Sequence, residues 1–138
     1  KIWSLPRWNR LSTYIIGLIM DQTILAFIDA NTALTAGVDL FIDESAAENR
    51  NYVLVKSIYS ASSYTGIEVF DITIIICDVV YDTARSRADV LAALFNNKRG
   101  ISGSSWGTIG NVVSRYEGTD TMKRTVYSVT FKTGKQED

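Results

Sequence analysis

Apolar residues recur along this chain with three different periods, and each period predicts an element. From residue 12 or 13 to about residue 34 they fall at steps of three and four, with Ile16, Met20, Ile24, Phe27 and Ile28 on one stripe, as in an amphipathic helix. Gly17 weakens the first half of that stripe, and Asp21 is placed to cap a shorter helix of its own, so the spacing predicts a helix over residues 22–33. Gly37 ends it, residues 38–42 alternate like a short strand, and residues 43–50 are polar loop.

The period then becomes two. Residues 52–59 alternate Val53, Val55 and Ser57 with Leu54, Lys56 and Ile58, a strand with one face better buried than the other, and residues 60–63 read as a tight loop. The next predicted strand, residues 64–79, contains Ile72, Thr73, Ile74, Ile75, Ile76 and Cys77, apolar on both faces and almost wholly β-branched. Such a run belongs inside a sheet covered on both sides; if helices cover one face, the other needs a partner.

A helix follows, with Asp82 as its expected cap and Ala84, Ala88, Leu91, Leu94 and Phe95 as its apolar stripe, ending before Gly100. Residues 101–107 read as a loop with Trp106 near its end. Residues 108–116 and 121–133 read as a hairpin whose turn is Glu117, Gly118, Thr119 and Asp120. The order α-β-β-β-α-β-β predicts an α+β fold, a mostly antiparallel mixed sheet of about four to five strands flanked by two helices.

At 138 residues one domain is expected, spanning residues 20–138, and 46% hydrophobic with 21% charged residues is the composition of a folded protein. A net charge of −1 argues against a main task of gripping phosphates. Residues 1–19 differ from the rest. Their apolar part is short of the roughly 20 residues of a membrane span and has no cleavage pattern, and no membrane association is expected. They read as an arm carrying Trp3, Leu5 and Trp8, or as an extension ahead of a start at Met20.

The chemistry is sparse. There is no His and one Cys, Cys77, which excludes an intrachain disulfide and reads as a small buried apolar residue. Asp71 and Asp78 face opposite sides of one strand and cannot form an acid/base pair. Capping accounts for Asp82 and solvent for Asp78. Asp43, Glu44 and Glu48 lack the spacing of a calcium loop. The cluster Gly100, Gly103, Gly107 and Gly110 lies between helix and strand, the reverse of a phosphate-binding order. No catalytic residue, cofactor or metal is expected.

Two stretches carry a family resemblance: FDITIIICDVVYDTARSRADVLAALFNN, an apolar strand turning through Asp and Tyr into a helix ending in Leu-Phe, and GTIGNVVSRYEGTDTMKRTVYSVTFKTG, a hairpin with Arg124 ahead of an alternating last strand. The pattern resembles the small tail-terminator and tail-completion proteins of long-tailed bacteriophages over residues 20–134; residues 1–19 depart from it. The resemblance implies a virion protein, assembled in the host cytoplasm, that forms a homohexameric ring on the head-proximal end of the tail tube. Such a ring stops tube polymerisation, contacts tail tube protein and head-tail connector or neck proteins, and lets DNA pass its lumen without specific binding. A head-completion or neck adaptor protein is the alternative, and a small ligand-binding or enzymatic α+β domain is a third. The residues expected to make assembly contacts are Trp3, Trp8, Arg85, Arg87, Trp106, Glu117, Asp120 and Arg124.

Overall fold

The computed structural model describes residues 7–42, 51–62, 67–96 and 106–136, with side chains described except at 7–18, 60–62, 67, 68, 106, 108–110, 135 and 136. The elements are α1 (Arg7–Asn31), β1 (Leu40–Phe41), β2 (Tyr52–Ser62), β3 (Ile67–Asp78), α2 (Tyr81–Phe95), β4 (Trp106–Thr119) and β5 (Thr125–Gln136). The strands form one sheet in the order β1-β2-β3-β5-β4. β1 pairs parallel with β2 and every other neighbour is antiparallel, so the α+β reading holds.

Alternation along β3 divides the sheet into two faces. Phe70, Ile72, Ile74 and Ile76 are buried on one of them. Register places Val53 and Val55 of β2, and Tyr127, Val129 and Phe131 of β5, on that same face. Both helices cover it: Met20, Ile24, Phe27 and Ile28 of α1 and Ala84, Ala88, Leu91 and Phe95 of α2 join these strands in one core. The small Ala84 and Ala88 let α2 lie close to the sheet, and Phe95 sits 5.5 Å from the Phe27 ring and 4.6 Å from Phe131, stacked on the latter. Each fully buried Ile, Leu or Phe here is worth about 1.5–3 kcal/mol of transfer free energy.

Several expectations are corrected. α1 runs unbroken through Gly17 and Asp21, because the Asp21 carboxylate accepts the Ser57 hydroxyl of β2 instead of capping a helix. Only Leu40 and Phe41 of the expected 38–42 strand pair. β2 continues to Ser62 through a bulge between Tyr59 and Ala61, where a loop was expected. At α2 the N-cap is Val80 with no side-chain bond, and Asp82 lies exposed in the first turn. Asp78, expected in solvent, is buried and accepts the Val80 amide at 2.8 Å, which orders the strand-to-helix turn. Glu117 is an extra residue in a bulge beside Gly118, and the hairpin turn lies at residues 120–124.

Candidate functional site

The second face of the sheet presents Tyr52, Leu54, Lys56 and Ile58 of β2, Asp71, Thr73, Ile75 and Cys77 of β3, and Val126, Ser128, Thr130 and Lys132 of β5. Val113 and Arg115 of β4 pair with Thr130 and Ser128 on the same side. Among the described residues no helix packs on this face. It is not the second apolar surface expected for β3: Thr73 and Ile75 are half-buried, and Ile58 and Val113 are 69% and 47% exposed.

This face has a small apolar end and a polar middle. Phe41 and Leu54 pack with Tyr52 and Ile75 beside β1. Across the middle, the Ser128 hydroxyl donates to Glu117 at 2.6 Å and the Lys132 ammonium to Asp71 at 2.6 Å. Both Lys132 and Asp71 are about half exposed, so this ion pair contributes at most ~1 kcal/mol. In β4, residues 110–112 stand opposite Phe131 alone, between the paired Ile109 and Val113. Beside that bulge opens a cavity of 560 Å³ whose lining includes Asp71, Thr73, Asn111, Val113, Thr130 and Lys132.

At one end of the face the hairpin turn locks onto the sheet. Asp120 Oδ1 accepts the amides of Met122 at 3.0 Å and Arg124 at 2.8 Å, and Oδ2 accepts Arg124 Nε at 2.8 Å. These bonds hold the turn with Lys123 at φ 60°, a left-handed conformation that a non-glycine residue rarely adopts without such support. The Arg124 guanidinium lies 5.5 Å from the Tyr52 ring centre, and the Cys77 thiol lies 3.5 Å from Asp120 Oδ2. Burial works to raise the Asp120 carboxyl, but its bonds and charge contact with Arg124 outweigh it and hold the group below the usual carboxylate range. Burial is the main cause pushing the Cys77 thiol up to about 11, so it remains protonated and unreactive near neutral pH.

The structure brings together only some of the residues named from sequence. Asp120 and Arg124 are partners of each other within one subunit. Arg87, expected among the assembly contacts, reaches Asp78 at 3.4 Å and Asp39 at 3.6 Å, tying α2 to the end of β3 and the turn before β1. Arg85 and Glu117 are exposed. Trp106 opens β4 and Trp8 lies in α1, both with side chains outside the described set, while Trp3, Asp43, Glu44, Glu48, Gly100 and Gly103 lie outside the described residues. Among the described residues no group of three or more His, Cys, Asp or Glu side chains is placed to hold a metal ion. No described helix is long and apolar enough to cross a membrane.

Sequence reading missed an apolar cluster at the hairpin end of the sheet. Val79, Val80, Tyr81, Tyr116 and Met122 are each about half exposed there. The Tyr127 hydroxyl donates to that of Tyr81 at 2.8 Å, and this bond leads the causes pushing Tyr127 up to about 12. Tyr116 packs edge-on against both rings. Its signal was the Val-Val-Tyr run at a strand-to-helix turn, where polar residues are the norm.

No protein-family model and no curated protein matches the chain. Solved structures do. One, whose name describes no activity, aligns at 14% identity with TM-score 0.46 over 89% of this chain and 94% of its own. A second is a chain of the virion of a native gene transfer agent particle, at 14% identity and TM-score 0.45 over 91% of this chain and 92% of its own. At this level of likeness neither decides the function, which is argued from the chain itself.

Proposed function

We propose that this chain is a structural subunit of a phage-like virion, forming a ring that caps the head-proximal end of a tail tube, ends its polymerisation and joins it to the head connector. The observation that carries this reading is the one-sided cover of the sheet. Both helices lie on one face, while the other face has no described cover and β4 has no described strand beyond its outer edge. The residue pattern of β3 through α2, and of the β4–β5 hairpin, supports the same assignment through its resemblance to tail-terminator proteins.

The mechanism is geometric. A ring needs one surface of each subunit to meet a different surface of the next, with a rotation that closes. Its two axial faces then differ, so one can match a tube and the other a connector, and neither continues the polymer. No catalysis is proposed. Of the titratable groups considered, Asp78 is buried against the Val80 amide and Arg87, Asp82 is exposed at a helix start, and Cys77 is a protonated buried thiol.

Imaging of purified protein by negative-stain electron microscopy, alone and mixed with polymerising tail tube protein, tests this reading. The expected result is a closed ring with a central hole that binds tube ends and limits tube length. Rings that leave tube length unchanged would move the assignment to the neck adaptor, and an absence of rings would overturn it.

A further inference from the structure

The hairpin end of β4 carries a surface that is complementary to itself. Residues 113–117 are all exposed, and no described strand lies beyond the outer edge of β4. Tyr116 pairs with Tyr127 and so lies on the helix-covered side, 53% exposed, with its ring edge-on to Tyr81 at 6.0 Å and to Tyr127 at 5.5 Å. The bond between the Tyr127 and Tyr81 hydroxyls ties those two rings together. The Tyr116 ring is therefore held in place already and loses little freedom when a partner packs on it. A fixed, half-exposed aromatic group on an edge strand has the composition of an interface core.

On the helix-free side, one residue before and one after Tyr116, stand Arg115 and Glu117. Glu117 Oε2 accepts the Ser128 hydroxyl at 2.6 Å, which holds the carboxylate over the sheet. Arg115 is exposed and reaches no carboxylate among the described residues. Laying β4 antiparallel on its own copy, about a two-fold axis at Tyr116, sets each Arg115 opposite the Glu117 of the other copy, two opposite-charge pairs from one operation. It also sets Tyr116 against Tyr116, and the exposed Ser114 against Gly118, which brings no side chain. Centring the axis on Arg115 or on Glu117 would set like charges face to face. Centring it on Ser114 would leave the two Arg115 groups diagonal to each other and Glu117 opposite Asn111.

We infer that two copies of this chain associate through β4, antiparallel about a two-fold axis at Tyr116, with Arg115 of each copy facing Glu117 of the other and Tyr81, Tyr116 and Tyr127 of both forming one aromatic strip across the axis. This contact goes beyond the ring reading and does not rest on it. A two-fold contact closes on itself and cannot propagate around a ring, so in a ring-forming chain it links one ring to a second.

The test is a disulfide at the axis. Residues directly opposite in an antiparallel pair have Cα atoms ~4.5–5.5 Å apart, within disulfide reach, and only the residue on a two-fold axis lies opposite its own copy. Tyr116→Cys, mildly oxidised, is expected to give a covalent dimer and nothing larger on a non-reducing denaturing gel. The similarly exposed Val113→Cys, off the axis, and the native chain with its buried Cys77 are expected to give none. Arg115→Glu and Glu117→Arg are each expected to weaken self-association roughly tenfold or more in analytical ultracentrifugation, and the double exchange to restore it, with circular dichroism verifying that every variant folds. Val113→Cys linking as readily as Tyr116→Cys would mark random collision and overturn the proposal, as would self-association unchanged by either charge reversal. Rings that show neither the cross-link nor the charge response would overturn it and leave the ring reading standing. Cross-linked dimers with the charge response, from a chain that forms no rings, would support it and end the ring reading.

Discussion

The two faces of this sheet are built from the same strands but are closed by different means. On the face of Phe70, Ile72, Ile74 and Ile76, two helices exclude water and the packing is complete within one subunit. On the face of Asp71, Thr73, Ile75 and Cys77, closure is local: the turn of the β4–β5 hairpin covers Cys77, and a small group around Phe41 and Leu54 covers one flank. The first face answers to the stability of the subunit. The second exposes Ile58 and Val113, and under the proposed function substitutions there are expected to act on assembly while the fold survives.

Neighbouring residues of one strand give the largest contrast. Ile74→Ala is expected to lower stability by about 2–5 kcal/mol in urea denaturation, because it leaves a cavity under two helices. Ile75→Ala, one residue along and half-buried, is expected to cost less than ~1.5 kcal/mol. Equal losses would show that both faces are closed alike. Arg124→Ala comes next, at about 1.5–3 kcal/mol, since it removes a charge-assisted bond to Asp120 and uncovers the turn.

The two carboxylates Asp120 and Asp21 sharpen the comparison through pH. The folded state lowers the Asp120 value, so its contribution is fully present above the unfolded value near 4 and is lost as pH falls through the folded one. Urea midpoints measured downward from pH 5 are expected to fall less steeply for Asp120→Asn than for the native chain. Asp21, on the helix side, is shifted the other way, raised mainly by burial against the lowering bond from Ser57. Its charged form therefore carries a penalty at neutral pH that is relieved as pH falls through the raised value. Asp21→Asn, which keeps an acceptor for Ser57, is expected to be neutral or stabilising by up to about 0.5 kcal/mol at pH 7, with the gain shrinking on acidification. On the helix-free face the readout is reactivity rather than stability: at pH 8, thiol labelling of Cys77 is expected to run roughly 100-fold slower in the native chain than in urea.

Much of the fold was legible because apolar spacing reports the helix-covered face directly. Ile24, Phe27, Ile28, Ala84, Ala88, Leu91 and Phe95 were all marked by their period, and all are buried. The boundaries were less legible where a polar residue found a distant partner. Asp21 read as a cap because nothing local shows that Ser57, 36 residues away, supplies its bond. The hairpin turn was misplaced because Gly118 looked like the turn residue, whereas it sits in a bulge with φ 109° and Lys123 takes the left-handed position under the hold of Asp120. The second face was overread from Ile72 to Cys77, since a run of β-branched residues does not reveal that Thr73 and Ile75 are only half covered. Among the expected contacts, Asp120, Arg124 and Arg87 proved to be bonded inside the subunit, whereas Ile58, Val113 and Tyr116, which sequence passed over, stand exposed.

The mass of the native chain in solution, followed by light scattering over a hundredfold range of concentration, tests the claim that the helix-free face and its edges belong to an assembly. The account expects one discrete multiple of the subunit mass, held across the range, and its loss in a folded Ile58→Asp variant. A native chain of one-subunit mass throughout, or an Ile58→Asp variant with unchanged mass, would contradict it.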